Sequence, residues 1–287
     1  MTLTMCLLNL SDKYIDMKRL IYMAMLSLFV ALPAWADKEE SPKDDDYFEY
    51  MGKADEAIAS GDWEEAERCL LSAIVSDPTN PTRVMVLSNL GLVQYNLGRD
   101  SLALNSLNEA HRMAPRSAKV LTNRAEVLVA MGKDEEAYAD YDKILSIDST
   151  RVDALYIHSL LGLRLGRFED ALADCHKLEE VAPDSYDMHL AYGSYYTAMK
   201  DWQLAVPHYT ALIASDPSAS LYCARAVCYL MLDRLNEASY DISSGLELDP
   251  ENSELYFYRA HLNKKRFMTE DARADMNRSL ELRAAGK

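Results

Sequence analysis

A chain of 287 residues in which 49% are hydrophobic has enough apolar side chain for a sizeable core, and its 10 Gly and 9 Pro are too few for a many-stranded sandwich, so helix is expected. Its 46 acidic residues against 30 basic ones, a net charge of -16, exclude the sequence-independent grip on a phosphate backbone that Lys and Arg provide, so no nucleic acid partner is expected. Such acidity reads as a solvated, self-repelling surface, or as one that complements a basic partner.

The chain opens with an address. Met17-Lys18-Arg19 form a short positive start, Leu20 to Leu32 an apolar run, and Pro33-Ala34-Trp35-Ala36 follow. The run is shorter than the roughly 20 residues that span a bilayer, and Ala34-x-Ala36 fits the small-residue cleavage rule. Residues 1–36 are therefore expected to be a leader and signal peptide cut after Ala36, which leaves a protein with no integral membrane span, exported and periplasmic. Asp12 and Asp16 stand where a signal prefers positive charge, which points to Met17 as the true start. Residues 37–46, with Glu39, Glu40 and Asp44-Asp45-Asp46, are expected to be an acidic flexible segment.

From residue 47 onward the sequence repeats itself. Ala66, Ala103, Ala137, Ala171, Ala205, Ala238 and Ala272 recur at a nearly constant interval, and most are trailed by a stop: Pro78, Pro115, Ser149, Pro183, Pro217 and Pro250. Ahead of the alanines come Gly61-Asp62, Gly98-Arg99, Gly132-Lys133 and Gly166-Arg167. Glycine there can take the left-handed conformation that ends a helix, and proline forces the residue before it out of helical geometry. Each unit thus reads as helix, tight turn, helix, stop. The apolar period inside a unit is helical, with Ala137, Tyr141 and Ile144 on one face and Ala171, Cys175 and Leu178 on the equivalent face one unit later.

The units depart from one another in chain order. Ala54 and Ala57 make the first unit loose, Ser149 replaces a proline, and Lys200 and Asp233 replace turn glycines. The fifth unit also carries Pro207 inside its second helix, which predicts a local change of path. The last unit lacks both turn glycine and proline, and Arg273, Arg278, Arg283 and Lys287 supply the solvated outer face that a terminal repeat needs.

Leu90-Gly91 with Ala103, Leu107 and Pro115, then Ala137 with Tyr141, then Tyr192-Gly193 and Tyr196 with Ala205, Tyr209 and Pro217, resemble the 34-residue signature of the tetratricopeptide repeat family. The resemblance runs from about residue 47 to the C-terminus. It implies an all-α fold, a right-handed α-α superhelix of about seven helical hairpins, and the capture of an extended peptide or helix from a partner protein without cofactor or catalysis.

Stacked hairpins line a concave surface with their first helices. Placing those helices in register puts Leu92, Tyr95, Lys119, Asn123, Tyr156, Ile157, Leu160, Leu190, Phe257 and Tyr258 toward that groove. The strip is apolar and aromatic at its middle, suited to a partner's apolar side chains; for Ile157 and Leu160 the competing reading is packing against the next hairpin. The family's carboxylate clamp is matched only by Asn89 and Lys119, with Met51, Asp55 and Asn123 at its other places. A cytosolic co-chaperone is thus the reading only if the N-terminal segment is not a signal.

Chemistry has no motif to stand on. Walker, GxGxxG, HExxH, GxSxG and calcium-loop patterns are absent from the sequence. The six histidines form no i,i+4 pair, and Cys69, Cys175, Cys223 and Cys228 form no CxxC, so no metal and no cofactor is expected and the cysteines read as small core residues. Neighbours such as Glu135-Glu136 and Glu179-Glu180 point apart on a helix and cannot act on one bond. The sequence therefore predicts an exported, non-enzymatic interaction module or scaffold whose partner is another protein, with a self-associating homo-oligomer as the alternative.

Overall fold

The computed structural model describes residues 42–286, which form fourteen α-helices and no strands. In chain order these are α1 (Pro42–Ser60), α2 (Trp63–Ser76), α3 (Arg83–Asn96), α4 (Asp100–Met113), α5 (Ala118–Ala130), α6 (Asp134–Ile147) and α7 (Val152–Arg164). They continue as α8 (Phe168–Val181), α9 (Tyr186–Ala198), α10 (Trp202–Ser215), α11 (Ala219–Met231), α12 (Leu235–Leu248), α13 (Ser253–Lys265) and α14 (Thr269–Ala284). Taken in pairs they are the seven hairpins that the alanine spacing requires. The chain divides within α7 into two compact units, residues 42–154 and 155–286. The expected signal, its cleavage after Ala36 and the start at Met17 lie outside the described residues.

Helix α1 begins at Pro42, five residues before the expected start of the repeats, so Lys43 to Asp46 form its opening turn. Pro42 has no N–H to lose at a helix start.

The later hairpins repeat one set of local devices. Ser117, Ser185, Ser218 and Asn252 cap α5, α9, α11 and α13, each accepting the backbone N–H three residues on. Second helices end at a residue pushed to extended backbone, such as Ala114 (φ -134°) and Asp216 (φ -148°) before Pro115 and Pro217. Asp148 reaches the same conformation (φ -139°) before Ser149, because its carboxylate accepts both the N–H and the hydroxyl of Thr150. The missing proline is thereby compensated.

Within each hairpin the second-helix alanine is the point of closest approach. Ala66, Ala103, Ala137, Ala171, Ala205 and Ala238 have no exposed surface, and Cys175, Leu178 and Ile144 are buried beside them as the period predicts. Gly91 and Gly193 mark the same approach from the first helix: a Cβ there would lie 3.0 Å from the Ala103 carbonyl oxygen or 2.9 Å from the Tyr209 ring. The four cysteines are buried, and burial pushes the thiols of Cys175 and Cys228 up to about 12, so these two behave as apolar core atoms. Helix α10 continues through Pro207 from Trp202 to Ser215.

Candidate functional site

The first unit places Leu92 and Tyr95 on α3 and Lys119 on α5, all half-buried. Asn123 is buried on α5, where its Nδ2 donates to Ser88 Oγ at 3.0 Å. An arginine-like clamp is not built at that place, since the amide is consumed inside the hairpin stack.

In the second unit most of the expected strip is core. Tyr156 exposes none of its surface and Leu190 only 2%, while Ile157, Leu160 and Tyr258 are buried as well. These side chains offer a partner almost nothing to touch, and for Ile157 and Leu160 packing is the reading that the burial favours. Phe257 is the accessible member, half-buried against His261 at 4.5 Å and beneath the Arg283 guanidinium at 5.1 Å. The terminal arginine is thus a lid on a ring as well as a solvated charge.

A second constellation lies on the side of the first helices that faces the second helices. Arg124 on α5 donates to both Asp140 oxygens on α6 at 2.6 and 2.7 Å, Arg225 to Asp241 at 2.7 and 2.9 Å, and Arg259 to Asp275 at 2.6 and 3.0 Å. His158 Nδ1 meets Asp174 at 2.7 Å in the same place. These carboxylates are buried, so the paired guanidinium, or for Asp174 the hydrogen bond with His158, is what makes their burial tolerable. Each pair is sixteen residues apart, a spacing the sequence displays but which a search for helical periods and short motifs passes over.

The fifth hairpin fills this place differently. There Tyr192 stands where the arginines stand and His208 where the aspartates stand, and their rings stack at 5.1 Å. Tyr196 joins them, 5.7 Å from Tyr192 and 5.8 Å from His208, with Tyr195 edge-on at 5.6 Å. Tyr192 donates its hydroxyl to Glu179 at 2.8 Å, and burial together with that carboxylate holds the phenol well above its ordinary range. His208 Nδ1 sits 3.0 Å from His189 Nδ1, a contact that requires one ring to donate and the other to accept. Burial, then the neighbouring His189, lower His208 to about 4, so it is neutral at pH 7. Glu179 and Glu180 diverge as expected, the latter meeting Lys177 at 2.8 Å.

Among the described residues no three His, Cys, Asp or Glu side chains converge on a point suited to a metal ion. None of the described helices is long and apolar enough to cross a membrane.

The sequence matches the family described as "Tetratricopeptide repeat" over residues 51–110, 118–151 and 158–220, more than half of the chain. The chain belongs to the tetratricopeptide repeat family. Among solved structures its tetratricopeptide fold is similar to a tetratricopeptide repeat protein from Parabacteroides merdae, with a TM-score of 0.73 and 26% identity, over 83% of this chain and 93% of that one. It is also similar in fold to the Pseudomonas aeruginosa pilF structure, with a TM-score of 0.62 and 17% identity, over 77% of this chain and 100% of that one. In sequence it is similar to the DnaJ homolog subfamily C member 7 homolog of Dictyostelium discoideum, 22% identical over 77% of this chain and 46% of that protein. The human DnaJ homolog subfamily C member 7 is 27% identical over 54% of this chain and 35% of that protein. The tetratricopeptide chain therefore spans less than half the length of these curated relatives.

Proposed function

We propose that this tetratricopeptide repeat protein is a non-enzymatic scaffold that holds a peptide or helix of a partner protein. The observation that carries the reading is how the repeats use their polar groups. Asp140, Asp174, Asp241 and Asp275 are each spent on a cation or histidine of their own hairpin. Rings such as Tyr95, Tyr195, Tyr196 and Phe257 meanwhile stay half-exposed. Large rings with few rotatable bonds suit protein contact.

The chain acts outside the cytoplasm in this proposal. The support is the positive start at Met17 to Arg19, the apolar run to Leu32 and the Ala34-x-Ala36 site. A second reading, attachment to a chaperone system, draws on the likeness to the DnaJ relatives. The buried Asn123 amide, committed to Ser88, counts against a clamp of the carboxylate-gripping kind.

The test is crosslinking and co-purification from the native cell, repeated with Tyr95→Ala and Phe257→Ala. A partner retained by the wild type and lost in a variant supports the scaffold; an empty eluate from the wild type removes it. Light scattering of the purified chain distinguishes a second copy from a different partner.

A further inference from the structure

The sixth hairpin carries a cation–π site, and the fifth hairpin keeps its ring while losing its cations. In the sixth hairpin the guanidinium of Arg234 lies 4.6 Å from the Tyr229 ring centre and that of Arg225 lies 5.7 Å from it. In the seventh hairpin Asn263 stands at the Tyr229 place, and Arg259 lies instead 4.9 Å from the Tyr256 ring, as Arg225 lies 5.9 Å from the Tyr222 ring one repeat earlier. The 33-residue step from Ala205 to Ala238 maps Tyr229 onto Tyr196, Arg234 onto Asp201 and Arg225 onto Tyr192. The ring survives the mapping, and both arginines become other residues.

Tyr196 is half-buried, and among the described residues no lysine or arginine lies over its ring. Its surroundings are negative. After burial, Cys175 and Tyr195, it is Glu179 and Asp201 that help hold its hydroxyl protonated. His208 beside it is neutral at pH 7 and adds no competing charge. A ring face in a partly desolvated, negative setting attracts a guanidinium, which also stacks flat on aromatic rings.

We propose that the Tyr196 platform binds an arginine side chain of the partner protein, in the position that Arg234 occupies over Tyr229, with Glu179 and Asp201 drawing the positive charge. The proposal rests on the protein-binding reading and specifies the chemistry of the partner. Asp201 is the informative residue. It starts α10 without a side-chain cap bond, at the place where α4, α8 and α12 carry Arg99, Arg167 and Arg234.

The test uses the full chain and the peptide acetyl-Gly-Arg-Gly-amide, with its citrulline counterpart as the uncharged control, followed by NMR of labelled tyrosine rings. The arginine peptide shifts the Tyr196 signals saturably and the citrulline peptide does not. Asp201→Arg, which restores the arginine within the chain, abolishes the shift while circular dichroism shows the helices intact, and Tyr196→Leu weakens binding roughly five-fold. Equal shifts from both peptides, or wild-type binding by Asp201→Arg, overturn the proposal. A crosslinked partner that is retained by both variants overturns it too, while leaving the scaffold reading in place. An absence of any partner strikes the scaffold reading and with it the protein source of the arginine, while the peptide titration still decides whether the Tyr196 platform takes a guanidinium.

Discussion

Lys200, Asp233 and Phe267 each hold a positive φ, between 59° and 64°, at the turns where Gly61, Gly98, Gly132 and Gly166 hold 70° to 75°. The helix end imposes this geometry: the N–H groups of Asp201, Arg234 and Met268 donate backward to the carbonyls of Tyr196, Tyr229 and Asn263 respectively, in the same six-residue closure as Arg99 to Gln94. A side chain in the left-handed region costs about 1 to 2 kcal/mol, partly offset by the extra freedom glycine has when unfolded. Lys200→Gly and Phe267→Gly should therefore each raise stability by about 0.5 to 1 kcal/mol in urea unfolding. Sequence showed that glycine was missing at these turns, and the backbone shows that the turn persists without it. His208 gives a pH prediction. Its folded value of about 4 lies below the unfolded 6.5, so the fold excludes the proton, and stability falls as pH drops from about 6.5 toward 4. The groups facing it are His189, Tyr192 and Tyr196, with Glu179 opposing the shift. Thermal unfolding across that window should lose part of its slope in His208→Gln.

At the scale of elements, the sixteen-residue pairs are the strongest polar joints in the hairpins. Asp241 keeps 1% of its side-chain surface and Arg225 11%, so removing one member leaves a buried charge alone. Asp241→Ala should cost about 3 to 5 kcal/mol, and Arg225→Met with Asp241→Leu far less, both read from urea midpoints. Close approach sets the other limit. Gly193→Ala drives a methyl into the Tyr209 ring and should cost about 1 to 3 kcal/mol by the same measurement. Hairpin number, turn positions and the alanine contacts were legible because they recur at a fixed spacing in the sequence. The aromatic cluster of the fifth hairpin was not, because Tyr192 and Tyr196 satisfy the repeat signature and His208 looks isolated until α9 and α10 are brought together. The same ambiguity hid Tyr156 and Leu190, since a position that faces a neighbour and one that faces a groove carry the same apolar residue types.

Within the second unit the last hairpin is part of the core and not an appendage. Leu255, Tyr258 and Leu262 pack with Cys223, Val227, Leu230 and Ile242 in one buried cluster. Ending the chain at Asn252 should expose that cluster, lower the unfolding temperature and raise binding of a hydrophobic dye, since a repeat buries its apolar face only against its neighbours. Net acidity was legible from composition, but its distribution was not. The basic residues Arg124, Arg225 and Arg259 lie within the hairpins, facing buried carboxylates, and so subtract little from the negative surface.

An arginine that holds two hairpins at once also fixes the angle between them. Arg225 reaches Thr210 on α10 at 3.0 Å as well as Asp241 on α12, and Arg124 reaches Asn108 on α4 at 2.9 Å as well as Asp140 on α6. A planar fork bound on both sides resists twisting. Between α8 and α9 the tie at the corresponding place is the Tyr192 hydroxyl on Glu179, a contact about which helices can pivot. Amide protons should therefore exchange soonest in α9, and a protein that grips the fifth hairpin would be holding the joint where the second unit yields first.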